Sequence, residues 1–99
     1  MAKILFRQEA INDLNAIWDY TFEKWSENQA DKYYATIKMA CNGIGKNPDI
    51  GKVYNAISPN LLGLKSGKHI IFYKQISSDS VEIIRILHEI MDLKNRMIE

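Results

Sequence analysis

The side chains of this 99-residue chain that are best suited to chemistry lie near its C-terminal end. Cleavage of RNA through the 2′-hydroxyl needs a proton acceptor, a proton donor and cations beside the phosphate. Arg85 and His88 could supply part of that set. They stand three residues apart on one predicted strand, so they point to opposite faces unless the strand bends at its end. Beyond His88 the chain has no tyrosine and no further histidine, which weakens an enzymatic interpretation.

Other reactive residue types have structural interpretations. His69 opens a predicted strand, and neither it nor His88 has a second ligand at metal spacing, so we predict no metal and no cofactor. Cys41 is the single cysteine and is predicted to be a buried thiol. Tyr33 and Tyr34 straddle an apolar helical stripe and are predicted to belong to the core.

The start of the chain predicts a strand and a helix. Both are expected to contribute side chains to the hydrophobic core and to hold none of the candidate reactive residues. Residues 3–7 form a short alternating run typical of a strand. Apolar side chains then recur at steps of three and four, which predicts an amphipathic helix from Gln8 to about Lys24. The stripe consists of Ala10, Ile11, Leu14, Ile17, Trp18, Phe22 and Trp25. We expect it, with both tryptophans, to be buried.

A second helix is predicted directly afterwards. Ser26 and Gln29 have the spacing of a capping box, and a second apolar stripe follows them. Gly43, Gly45 and the Asn47-Pro48 pair are expected to end this helix, since glycine weakens a helix and proline restricts the residue before it. The short connection predicts an antiparallel helical hairpin.

The second half predicts strands. Residues 61–65 form a short strand, and the β-branched and aromatic runs 69–76 and 81–88 form a hairpin around a polar turn. Residues 92–98 are predicted to form a short C-terminal helix, with Asp92 as its N-cap. The predicted fold is therefore α+β in the order β-α-α-β-β-β, with a helical hairpin on a small, mainly antiparallel sheet, in one domain spanning 1–99.

Both faces of the last hairpin are apolar. Within the first strand Ile70 and Phe72 alternate with Ile71 and Tyr73. Within the second, Ile83 and Leu87 alternate with Ile84 and Ile86. One helical hairpin covers one face of a small sheet, so we expect apolar surface to remain for a protein partner. The alternative is that the C-terminal segment and the long loop cover the second face.

Composition limits the classes of function. With 46% hydrophobic and 25% charged residues the chain is too apolar for disorder, yet it has no run long enough to span a bilayer. The start is too short for a secretory h-region, so a cytoplasmic location is predicted. A net charge of +1 argues against binding nucleic acid through many phosphates, and no sequence-specific nucleic-acid binding is expected.

A local excess of lysine stands out against the near-neutral total. Its members are Lys46, Lys52, Lys65, Lys68 and Lys74. This stretch would attract an acidic partner. A solvated lysine-rich surface is the alternative.

Four segments in order resemble the ParE branch of the ParE/RelE toxin superfamily over essentially the whole chain. The most specific is Arg85-Ile-Leu-His-Glu-Ile-Met-Asp92, which is similar to the family's R-hydrophobic-L-H-x-x-M-D run. The supporting segments are Asp13-Leu-Asn-Ala-Ile-Trp-Asp-Tyr20, Asn47-Pro-Asp-Ile-Gly51 and Gly67-Lys-His-Ile-Ile-Phe-Tyr73.

The resemblance implies the toxin of a type II toxin-antitoxin system of the plasmid-stabilisation kind. Such a toxin arrests growth by binding and poisoning DNA gyrase, and an acidic, ParD-like antitoxin encoded beside it wraps its sheet and helices. The residues expected to bind the target are Arg85, His88, Met91, Asp92, Lys94 and Arg96. Those expected to bind the antitoxin are Lys65, Lys68, Phe72, Lys74, Ile84 and Ile86. Arg85 is expected to pair with Asp92 or with an antitoxin carboxylate.

Relatives of the RelE type share the fold but cut messenger RNA on the ribosome, and fold alone does not choose between the two activities. In that alternative Arg85 and His88 would be the catalytic residues. A third possibility is an inactive toxin that only titrates antitoxin. The missing C-terminal tyrosine or histidine favours the non-enzymatic gyrase inhibitor.

Overall fold

The computed structural model describes residues 2–90, which form two helices packed on one five-stranded sheet. The regular elements are β1 (Lys3–Phe6), α1 (Gln8–Lys24), α2 (Glu27–Lys46), a single 3₁₀ turn (Pro48–Ile50), β2 (Lys52–Val53), β3 (Leu62–Ser66), β4 (His69–Ser77) and β5 (Ser80–His88). The predicted helix at 92–98 lies outside the described residues. The two-residue β2 and the 3₁₀ turn were not predicted, because both fall in a turn-rich stretch with little apolar pattern.

The strands lie in the order β1-β5-β4-β3-β2. β1 pairs with β5 in parallel, and the other neighbours are antiparallel. The long connection that a parallel pair requires runs from β1 through the helical hairpin and the other three strands to β5. The α+β prediction with a mainly antiparallel sheet is confirmed.

The helices begin where expected, and of the predicted signals for the end of α2 it is the Asn47-Pro48 pair, not the glycines, that coincides with it. The Ser26 hydroxyl accepts a hydrogen bond from the Gln29 amide at 3.1 Å, which confirms the cap. The helix then runs through Gly43 and Gly45 and ends only before Pro48. Gly45 is present because a Cβ there would lie 2.9 Å from the Ile4 side chain, so it permits close packing of α2 on β1.

The helix-side face of the sheet contacts the main core. Leu14 of α1 and Ile37 of α2 pack against Tyr73 and Ile83. Trp25 was predicted to be buried and is 76% exposed, because it is the residue that follows the last turn of α1. Trp18 is half-buried, stacks on Phe22 and donates its indole N–H to a carboxylate of α2.

A β-bulge in β5 changes which residues share a face. Phe72 lies opposite Arg85, but Tyr73 lies opposite Ile83, so Ile84 is an extra residue in the ladder. As a result Ile83 and Ile86 both face the helices although they are three residues apart. Simple alternation was therefore wrong across Ile84: Ile83 shares a face with Ile86, and Ile84 shares the other with Leu87.

The second face of the sheet is covered by the chain itself. Leu61 lies in the loop before β3 and forms a second core cluster with Phe72, Ile84 and the residues around them, under Tyr54 and Ile57. Phe72 is fully buried and its ring meets Tyr54 edge-on at 5.1 Å. The expectation that this face would be left bare is wrong, because the loop at 54–61 folds back over it. In the described part of the chain no helix has the length and apolarity needed to cross a membrane.

Candidate functional site

An ion pair joins the end of β5 to α1. Arg85 donates from Nε to Asp13 Oδ2 at 2.7 Å and from Nη2 to Asp13 Oδ1 at 2.9 Å, a bidentate pair. The two side chains are only 19% and 15% exposed, so water screens the pair weakly. The sequence suggested Asp92 or an antitoxin carboxylate as the partner of Arg85. The structure adds Asp13, and Asp92 lies outside the described residues.

Arg85 and His88 both line one groove between α1 and β5, which we call the α1–β5 groove. Its wall includes Ile17 and Tyr20 from α1, with Ile90 at its rim. The prediction that Arg85 and His88 would not share a pocket is wrong although residues 85–88 form a regular strand, because Asp13 holds the long Arg85 side chain at the groove. The groove is mainly apolar, so it suits an apolar anchor more than a phosphate.

His69 and His88 are direct cross-strand neighbours at the end of the groove. Their rings meet edge to face, with centroids 5.2 Å apart. Nδ1 of His69 is 2.7 Å from the Tyr33 hydroxyl, and Nδ1 of His88 accepts from the Ile90 amide at 3.2 Å. Burial, aided by the neighbouring charge of His88, lowers the pKa of His69 from its ordinary 6.5 to about 4.

Tyr33 connects α2 to the turn between β3 and β4. Its hydroxyl accepts from the Lys68 amide at 3.0 Å and lies 3.3 Å from the Ser66 carbonyl oxygen, besides its contact with His69. The turn residue Gly67 has φ +60°, and a Cβ there would lie 2.6 Å from the Tyr33 ring. Tyr33 therefore stabilises the β3–β4 turn through hydrogen bonds and ring contact, in addition to packing in the core.

The histidine pair is a poor metal site. Nδ1 of His88 is already bonded to the Ile90 amide and Nδ1 of His69 to the Tyr33 hydroxyl, so neither of these two nitrogens is open to a metal ion. Among residues 2–90 no three histidine, cysteine or acidic side chains gather where a metal ion could be held.

The residues predicted to bind an antitoxin are dispersed. Phe72 and Ile84 are buried under the 54–61 loop, and Ile86 is buried on the opposite, helix-facing side. Lys65 pairs with Glu89 at 3.1 Å, and Lys74 donates to a serine of the 54–61 loop. Lys68 is an exposed residue of the β3–β4 turn. Phe72, Ile84 and Ile86 were predicted on the expectation that they would be exposed, and they are buried. Contact with an antitoxin is still a prediction for all six residues.

Of the predicted target-binding residues, Arg85 and His88 come together in the groove. Met91, Asp92, Lys94 and Arg96 lie outside the described residues. Sequence reasoning missed Asp13, which stands on the polar flank of an ordinary amphipathic helix. The one signal in the sequence was an arginine inside an apolar strand, which must find a partner or reach water.

Comparison with known proteins agrees with this architecture. Residues 4–93 match the family model described as the ParE toxin of type II toxin-antitoxin systems, parDE. The chain belongs to the ParE toxin family. It is similar to toxin ParE1 of Mycobacterium tuberculosis, with 29% identity over 96 residues that cover 97% of this chain and 98% of that protein. It is also similar to toxin ParE1 of Caulobacter vibrioides, with 30% identity over 82 residues and 83% of each chain covered.

A solved structure shows the same fold at lower identity. The chain aligns with one from the chromosomal ParDE TA system of P. aeruginosa at a TM-score of 0.76 and 18% identity. The alignment covers 89% of this ParE-family chain and 96% of the other. The two helices on a mixed five-stranded sheet are thus the architecture of a solved structure as well.

Proposed function

We propose that this ParE-family toxin acts by binding DNA gyrase directly and performs no chemistry of its own. The observation that carries the proposal is the ParE toxin match, which spans residues 4–93 of the chain. We assign the target surface to the α1–β5 groove and the segment from Arg85 to Arg96. The exposed Tyr20 and Ile90 at the groove supply apolar anchors of the kind that dominate protein interfaces.

The groove brings together the residues that an RNA-cleaving relative would need, but their states do not suit that reaction. The Arg85 guanidinium is neutralised by a bidentate carboxylate, and Asp13 itself would repel a phosphate. His69, the neighbour of His88, could not serve as the second proton-transfer group, because burial lowers its pKa to about 4, far from the operating pH. These features support a binding surface over a nuclease centre.

We also propose that a small acidic antitoxin, encoded beside the toxin, neutralises it. The chain aligned from P. aeruginosa comes from a ParDE system, and the exposed Lys68 and Lys52 of this chain suit an acidic partner. Because the second sheet face is already covered, the antitoxin is expected to use exposed surface rather than complete the core. Co-expression with the neighbouring reading frame should give a complex that survives gel filtration; separate elution of the two proteins would count against it.

The test of the target is a gyrase supercoiling assay with purified protein. Inhibition, or trapping of cleaved DNA, is expected, and no effect at micromolar excess would overturn the proposal. Ile90→Asp at the groove should weaken inhibition. Ile76→Asp is a matched control, because Ile76 is also exposed but lies at the far end of β4, seven residues from His69.

The ribonuclease alternative is tested in parallel with translating ribosomes. Truncated messenger RNA after addition of the toxin, without gyrase inhibition, would replace the proposal with an enzymatic one. In that case His88→Gln would abolish cleavage, whereas gyrase binding requires no proton transfer. Growth arrest on induction separates both activities from an inactive toxin.

A further inference from the structure

Among residues 2–90, the last part of β5 has no neighbouring strand on one side. β1 ends at Phe6, which lies opposite Ile83, and the Arg7 amide donates to the Ile83 carbonyl oxygen at 2.9 Å. β5 continues for five residues beyond that point, to His88. β1 is the outermost strand of the described sheet, so none of its strands pairs with this side of β5 there. Such an edge needs some other group to satisfy and restrain it.

Asp13 supplies that group. Besides its two bonds to Arg85, its Oδ2 accepts from the Ile86 backbone amide at 3.0 Å. One carboxylate on α1 therefore holds both the side chain of one strand residue and the backbone of the next. The acceptor occupies the place that a carbonyl oxygen of a neighbouring strand would take.

These bonds begin immediately after the extra residue of the bulge. Phe72 pairs with Arg85 and Tyr73 with Ile83, so Ile84 is the insertion, and the two residues bound by Asp13 follow it. A strand can lose a bulge by slipping one residue, and that slip would exchange the faces of every side chain beyond it. His88 would then leave the groove and the buried Ile86 would leave the core. Asp13 opposes this slip because its three bonds form only in the bulged register.

We propose that Asp13 is a positioning residue for the target surface: it holds the Arg85 guanidinium at the groove, and by fixing the bulged register of β5 it keeps His88 there. Asp13 is itself largely buried and would act through these two residues rather than by touching the target. The claim on register is independent of the target, whereas the claim on activity rests on the proposed gyrase inhibition.

The test compares Asp13→Ala and Asp13→Asn with Asp19→Asn, an exposed aspartate on the same helix. Amide exchange at Ile86 should accelerate about ten- to a hundredfold in Asp13→Ala, the range expected for losing a hydrogen bond to a charged group. The nuclear Overhauser contact between the His69 and His88 rings should weaken. In Asp13→Asn one acceptor remains, so a folded protein with an intermediate effect is expected even where the alanine variant does not fold. Asp19→Asn should match the wild type in both readouts.

Gyrase inhibition at equal concentrations of folded protein tests the functional part. It should fall in Asp13→Asn while Asp19→Asn keeps full inhibition. Unchanged Ile86 exchange and an intact histidine contact in both Asp13 variants would overturn the register claim. A displaced His88 with undiminished inhibition would overturn the positioning role. If the wild type itself does not inhibit gyrase, the proposed function fails, and the exchange and ring-contact measurements still decide the register claim.

Discussion

The burial of His69 should lower the free energy of unfolding of the toxin at acid pH. Variants of His69 and of the neighbouring His88 allow this effect to be measured. The pKa of His69 falls from 6.5 to about 4 on folding, mainly through burial and further through the charge of His88, while Asp13 and Glu89 oppose the shift. The unfolded chain therefore binds more protons at this residue than the folded chain between these two pH values. The free energy of unfolding contributed by the neutral ring is present above pH 6.5 and is lost as pH falls toward 4.

The size of the loss follows from the two pKa values. A difference of one unit corresponds to about 1.4 kcal/mol. Integrating between the folded and unfolded pKa of His69 gives an upper bound on the loss, relative to neutral pH, of about 2 kcal/mol at pH 5 and about 3 kcal/mol at pH 4, because solvent screens part of the effect at this half-buried ring. These are large fractions of the stability of a domain of this size.

Urea denaturation at pH 7, 6, 5 and 4 measures this loss in the wild type and in His69→Gln. The variant loses the bond to Tyr33 at every pH, so its offset should be constant, whereas its decline between pH 6.5 and 4 should be smaller by up to the amounts above. His88→Gln should keep most of the wild-type decline, because burial is the main cause of the His69 shift. Parallel curves for wild type and His69→Gln over the whole range would refute the reasoning.

Three further predictions concern the core and the turn. Gly67→Ala should lower the free energy of unfolding by at least about 1 kcal/mol, because φ at this position is +60°. Gly43→Ala should raise it by about 0.5 to 1 kcal/mol, since a Cβ at this helical position meets nothing within 4 Å. Thermal melts of both variants measure these changes. Phe72→Ala should cost about 3 to 5 kcal/mol in urea melts, against less than about 0.5 kcal/mol for the exposed Ile76→Ala. The Cys41 thiol, whose pKa burial raises to about 11, should react with a thiol reagent at pH 8 only as fast as the protein unfolds, and rapid labelling of the folded protein would contradict its burial.

The fold was predictable because its signals are local and repeated. The stripe at steps of three and four placed α1 at its observed ends, and the spacing of Ser26 and Gln29 located the start of α2. The β-branched runs gave β4 and β5 to within a residue at each end. Family resemblance and pattern agreed because both depend on these same core positions.

The site was less predictable because it depends on contacts between residues distant in sequence. Asp13 and Arg85 are 72 residues apart, and nothing in the polar flank of α1 marks one aspartate over another. No glycine marks the bulge at Ile84, so alternation wrongly placed Ile83 with Leu87 and Ile84 with Ile86. Coverage of the second sheet face by the 54–61 loop followed from tertiary packing around Leu61, in a stretch whose turn residues gave no sign of a buried anchor.

The loop at 54–61 bears on what happens when antitoxin is lost. A toxin whose hydrophobic core was completed by the antitoxin would unfold once the antitoxin was degraded, and proteases would then degrade the toxin as well. Because Leu61 and its neighbours close that side internally, this molecule is expected to outlive the companion as an intact body, with its groove ready for another occupant. The stability of the free toxin after loss of its antitoxin would then depend on eight residues without regular structure.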